Sequence, residues 1–188
     1  IENAVASTDE AYRNAPVAVA ADGCVYATGR FNQTIATDKF FLEPVAQSSF
    51  LAKYDSNGAE QWAVALAGTA TITSVTLDEN ENVYIAGTLA DQVVFNTTEG
   101  ETITLEGEME WGEYIATEVT GFIAKYNKDG VLQTAKAIIA GQHSEVDAQL
   151  AANPDLMYFP EFSTAFKINK LTAKGGKVYA SAIYAGKT

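Results

Sequence analysis

Apolar and polar positions alternate with a period of two over most of the chain, the spacing of strands that bury one face. The pattern starts at Pro16, where Val17-Ala18-Val19-Ala20 runs into Ala21-Asp22-Gly23 and then Cys24-Val25-Tyr26-Ala27-Thr28-Gly29-Arg30-Phe31. Asp-Gly between two β-rich runs predicts a hairpin, because glycine accepts a positive φ at the turn. A second alternating run, Phe50-Leu51-Ala52-Lys53-Tyr54, ends in Asp55-Ser56-Asn57-Gly58 and is followed by the Trp62-bearing run Ala59–Leu66. Residues 1–15 are polar and weakly patterned, and read as a leader or linker.

Both patterns return. Phe122-Ile123-Ala124-Lys125-Tyr126 and the turn Asn127-Lys128-Asp129-Gly130 repeat the Phe50 stretch 72 residues on (122 − 50), and Val131–Ile138 follows. The first hairpin recurs 58 residues on (83 − 25) as Ile72–Leu77, the turn Asp78-Glu79-Asn80-Glu81, and Asn82-Val83-Tyr84-Ile85-Ala86-Gly87. A third version spans Ala165–Leu171, Gly175-Gly176 and Lys177-Val178-Tyr179-Ala180. A fixed order of hairpin, Phe-x-Ala-Lys-Tyr strand and outer strand gives four consecutive antiparallel strands per unit, which is the blade of a β-propeller. The predicted fold is therefore all-β, with four-stranded antiparallel propeller-type blades at about 16–67, 72–139 and, incomplete, 165–188. About two and a half blades do not close a ring. Further polypeptide beyond Thr188, or a partner subunit, is expected to cover the open face.

These motifs resemble a β-propeller repeat family of secreted and surface proteins in Bacteroidetes and other bacteria. The residues that carry the resemblance are Asn82-Val83-Tyr84-Ile85-Ala86-Gly87, Phe50-Leu51-Ala52-Lys53-Tyr54, Asn57-Gly58 and Trp62. It covers most of residues 16–188 outside two insertions. It implies an exported protein, lipid-anchored upstream of Ile1, at the outer-membrane or extracellular surface. It says little about activity.

The insertions depart from the repeat. Residues 90–121 carry eight acidic side chains and no Lys or Arg. Val93-Val94-Phe95 and Thr102-Ile103-Thr104-Leu105 alternate around Glu99-Gly100, which predicts an extended hairpin projecting from the blade. Trp111 and Tyr114 stand among Glu108 and Glu110 there, so an exposed surface of rings and acids that grips a partner or a sugar is one expectation. A decorated hairpin with its rings folded back is the other. Residues 139–164 also lack Lys and Arg. Ser144-Glu145-Val146-Asp147 reads as the start of a short helix through Ala152. Tyr158 and Phe159 lie in the aromatic run behind it, which either packs as a lid or docks on a neighbour.

Charge narrows the partners. Twelve basic against twenty-four acidic residues give a net charge of −12, which disfavours nucleic acid and anionic lipid. Cys24 is the sole cysteine, so no intrachain disulfide forms. No cofactor is expected. Calcium suits clustered carboxylates, but Glu106, Glu108 and Glu110 alternate as a strand does, and the Asp/Asn-Gly turns lack the EF-hand spacing. The lone His143 has acids near it in sequence but no nucleophile motif. The function expected is a non-catalytic cell-surface propeller that binds protein, such as an accessory lipoprotein subunit of an outer-membrane nutrient-uptake complex. A glycan- or peptide-binding module using Trp111, Tyr114, Tyr158 and Phe159 is the alternative. A carboxylate-based hydrolase or lyase is the third.

Overall fold

The computed structural model describes residues 15–107, 109–111, 116–118, 120–139 and 166–184. They form fourteen strands: β1 (Val17–Val19), β2 (Val25–Phe31), β3 (Ile35–Ala36), β4 (Phe41–Leu42), β5 (Ser48–Tyr54), β6 (Glu60–Leu77), β7 (Val83–Phe95), β8 (Ile103–Glu106), β9 (Met109–Trp111), β10 (Ala116–Glu118), β11 (Thr120–Tyr126), β12 (Leu132–Ile139), β13 (Phe166–Lys174) and β14 (Lys177–Tyr184). Every pairing is antiparallel. No helix occurs among the described residues, and the helix predicted over 144–152 lies outside them.

An eight-stranded sheet runs in the order β1-β2-β5-β6-β7-β11-β12, with β8 added alongside β7. It curls into a half-barrel consistent with partial propeller blades. Blade 1 is β1, β2, β5 and the first half of β6; blade 2 is the second half of β6 with β7, β11 and β12. The two therefore share one 18-residue strand instead of breaking between Leu66 and Ile72. Continuity survives because Gly68, at φ 129°, takes up a bulge where β6 crosses from one blade to the next. A Cβ there would stand 2.5 Å from the Gln92 carbonyl oxygen, so only glycine fits.

Four turns share one construction. The backbone N–H of the fourth residue donates to the carbonyl of the first in Ala20–Gly23, Asp55–Gly58, Asp78–Glu81 and Asn127–Gly130. In the last three, the Oδ1 of the first residue also accepts the backbone N–H groups two and four positions on, each at 2.9 Å. The closing residue sits at φ 88°, 81°, 61° and 82° in turn. Glycine fills three of these places and Glu81 the fourth. This is why Asp/Asn-x-x-Gly punctuates the sequence where it does.

The half-barrel closes on a core between the facing blades. Tyr26, Leu51, Val64 and Leu66 of blade 1 meet Val75, Val83, Ile85, Phe122, Ala124 and Tyr126 of blade 2, all buried. The far side of blade 2 packs Tyr84, Ala86 and Ile123 against Ile168, Leu171 and Val178 of the β13–β14 hairpin, the start of a third blade. Ser74 Oγ accepts the Leu171 N–H at 2.8 Å, and Glu79 Oε1 accepts the Gly175 N–H at 2.7 Å, tying the third unit to the second.

The hairpin predicted around Glu99-Gly100 is present, with Gln92 opposite Glu106 and Phe95 opposite Ile103. It does not project. Phe95 is fully buried with its ring edge-on to Phe122 at 5.1 Å, so the insertion folds back and adds core to the sheet. The small β3–β4 ribbon, which the alternation did not predict, does the same for blade 1. It packs Ile35, Phe40 and Leu42 over Phe31, Phe50 and Ala65.

Candidate functional site

The repeated residues of the motifs converge on the seam between blades. Lys53 lies opposite Tyr26 on one side and Trp62 on the other, so the three side chains form a row across one face of blade 1. The Lys53 ammonium stands 5.2 Å from the centre of the Tyr26 ring, within cation–π range. The Trp62 indole meets the same ring edge-on at 6.0 Å. Trp62 Nε1 then donates to the Lys128 carbonyl at 3.1 Å, and Lys53 Nζ to the same oxygen at 3.3 Å. That oxygen belongs to the outer turn of blade 2. The lysine of the repeated motif and the Trp62 that follows it thus staple one blade to the next. Blade 2 reproduces the first part of the row, with Lys125 Nζ 5.3 Å from the Tyr84 ring centre.

Electrostatics follow this geometry. Burial pushes the Tyr26 phenol up, partly offset by Lys53 beside it. Burial alone raises Tyr126 well beyond the ordinary phenol range. Burial also acts to raise Asp78, but is outweighed by the Asn82 side chain, the Asn82 and Asn80 backbone N–H groups and the Tyr84 hydroxyl, so its carboxyl is held below the usual value. At Cys24, which is half-buried, the thiol donates to Asp22 Oδ2 at 3.1 Å and is raised by that carboxylate. Asp78 and Cys24 are thus engaged in their turns, whereas the buried Tyr26 and Tyr126 hydroxyls have no hydrogen-bond partner among the described residues. Among the described residues no three His, Cys, Asp or Glu side chains converge as metal ligands would.

Two surfaces remain as contact candidates. A cleft of about 370 Å³ lies over β6, walled by Phe41 and Glu43 on one side and by Asn96, Thr97 and Glu101 on the other. The second surface is the separate ribbon β9–β10, which pairs Trp111 with Ala116 and Glu110 with Thr117. It places Glu110 and Trp111 side by side in sequence on a strand outside the main sheet. Glu108, Tyr114, Tyr158 and Phe159, and likewise His143, lie outside the described residues. What the alternation missed is an exposed apolar edge of blade 1, where Val17 and Val19 are 56% and 66% exposed. The signal was available, since Val17 and Val19 align with the apolar Val75 and Leu77 of blade 2.

No helix among the described residues is long and apolar enough to cross a membrane. No family's sequence profile matches the chain. An uncharacterized WD repeat-containing protein of Acanthamoeba polyphaga mimivirus is 36% identical over 92 residues, or 45% of this chain. The chain spans only 6% of that relative's length. The shared segment and the curled, blade-like sheet together fit a β-propeller repeat protein.

Proposed function

We propose that this chain is a non-catalytic β-propeller module that works by binding another protein, with the acidic aromatic ribbon of blade 2 as its contact. The observation supporting this is the place of the ribbon. β9 and β10 form a sheet of their own, while β7 still pairs with β11 from Val83 to Leu89 as the blade requires. A scaffold that keeps its core pairing and carries added chain in one blade has room for a contact at no cost to the fold. On this reading Trp111 and Tyr114 supply contact area, and Glu108 and Glu110 select a partner with a basic rim. The match to a WD repeat-containing protein supports the repeat architecture on which the reading rests. The family resemblance extends it to a surface-exposed, lipid-anchored subunit that assists nutrient uptake at an outer membrane.

The test is native mass spectrometry of the particle carrying this chain, released gently from its source membrane. A defined second polypeptide, held with a dissociation constant weakened tenfold or more by Trp111→Ala, is the expected result. Tight binding of an isolated oligosaccharide that disappears with Trp111→Ala would overturn it in favour of a glycan-binding module. Turnover abolished by one Glu→Gln change would overturn it in favour of an enzyme.

A further inference from the structure

Blade 1 turns one face to blade 2; its other face is covered at one end by the β3–β4 ribbon and open at the end of Val17 and Val19, and the internal repeat identifies what that open part resembles. Val17, Val19, Val25 and Ala27 share that face, since Val17 lies opposite Ala27 and Val19 opposite Val25. Shifted by 58 positions they become Val75, Leu77, Val83 and Ile85, which pack into the core against blade 1. Shifted by 72, half-buried Tyr54 becomes fully buried Tyr126. The same residue types at the same blade positions are covered in one blade and open in the other.

The outer turn shows what is missing. Gly58 and Gly130 have the same backbone, at φ 81° and 82°. A Cβ on Gly130 would press on the Trp62 ring at 2.9 Å, whereas one on Gly58 would meet nothing within 4 Å. Gly58 is thus shaped like an indole site with no indole on it. The other end of the face is already capped in both blades, by Phe31 on Phe50 in one and Phe95 on Phe122 in the other. Only the half that receives a tryptophan in blade 2 is bare in blade 1.

We propose that the Val17–Val19–Tyr54 face, with the Ser56–Gly58 turn, is the docking surface for a further propeller blade that presents a Tyr–Lys–Trp row like Tyr26, Lys53 and Trp62. The indole lies on Gly58, and its N–H and the lysine ammonium donate to the Ser56 carbonyl, the counterpart of Lys128. A second copy of the described residues does not supply this row. Tyr26, Lys53 and Trp62 are engaged with blade 2, and Tyr84 is packed against the third unit. The inference stands on the repeat, independently of what the acidic ribbon binds.

The experiment is to insert a copy of residues 16–73 ahead of Pro16 in the full chain, so that the copied blade enters the original one through the natural joint. In the unextended chain Val19→Lys is expected to shift the melting temperature by less than about 2 °C, since the site is exposed. In the extended chain it is expected to lower the melting temperature by about 5 °C or more, because an unpaired ammonium is then buried. Gly58→Ala is likewise expected to cost more in the extended chain than in the parent. Equal effects of both substitutions in the two chains would overturn the proposal. So would dimerisation of the unextended chain, by light scattering, that Val19→Lys abolishes, because the occupant would then be a second copy.

Discussion

Gly58 and Gly130 offer a controlled measurement of what the Trp62 staple contributes. Their backbones are nearly identical, at φ 81° and 82°, and each closes an Asx turn of the same hydrogen bonding. Replacing either with alanine forces an L-residue into the left-handed region at about 1–2 kcal/mol. Roughly half of that is returned by the smaller entropy of the unfolded chain. Gly58→Ala is therefore expected to cost about 1 kcal/mol, with no steric addition because nothing lies within 4 Å of its new Cβ. At Gly130 the new atom would come within 2.7 Å of Thr98 Cγ2 and 2.9 Å of the Trp62 ring. The indole must move, adding on the order of 1–3 kcal/mol for overpacking, and its bond to the Lys128 carbonyl, worth about 1 kcal/mol, is lost. Gly130→Ala should thus cost about 3–5 kcal/mol, read by urea denaturation followed in the far ultraviolet. On a Trp62→Ala background the Gly130 cost should fall by at least about 1 kcal/mol, since the obstructing ring and its hydrogen bond are gone, while the Thr98 contact keeps it above the Gly58 value. Equal losses at the two glycines, or no coupling to Trp62, would refute the packing of the indole on the second blade.

Two further substitutions probe the turns. Glu81 holds the left-handed place that glycine holds in the other three turns, so Glu81→Gly is expected to stabilise by roughly 0.5–1 kcal/mol in the same denaturation assay. A loss would mean that the Glu81 side chain makes a contact worth more than the strain. Asp78 has its folded pKa held below the ordinary 3.8. Its contribution is present above the unfolded value and is lost as pH falls through the folded one. Asp78→Asn, which copies the Asn127 turn, should keep the turn while flattening the acid limb of the stability–pH curve below about pH 4. An unchanged acid limb would show that other carboxylates carry it.

Much of the fold is legible in the sequence because its turns are local. Each Asp or Asn accepts N–H groups two and four residues on, so the signal and its partner fall in one short window. The pairing of β5 with β6 and β11 with β12 follows from those turns. The role of Trp62 is not legible, because its acceptor is 66 residues away in another blade. Nor is the continuity of β6, which depends on Gly68 avoiding the Gln92 carbonyl across a strand pair. The folding-back of the acidic hairpin depends on Phe95 finding Phe122, a contact that alternation alone does not encode. Of the contact residues expected from the sequence, Trp111, Tyr114, Glu108, Glu110, Tyr158 and Phe159, only Glu110 and Trp111 fall among the described residues, both in a separate ribbon.

The central claim is that the blades stack face to face, stapled from the Tyr26–Lys53–Trp62 row to the Lys128–Gly130 turn. The most direct measurement is the pattern of nuclear Overhauser effects from the Trp62 indole proton in isotope-labelled protein. The account predicts cross-peaks to backbone protons of Lys128, Asp129 and Gly130 and slow exchange of that proton with water. A rapidly exchanging indole proton with contacts only inside its own blade would contradict it.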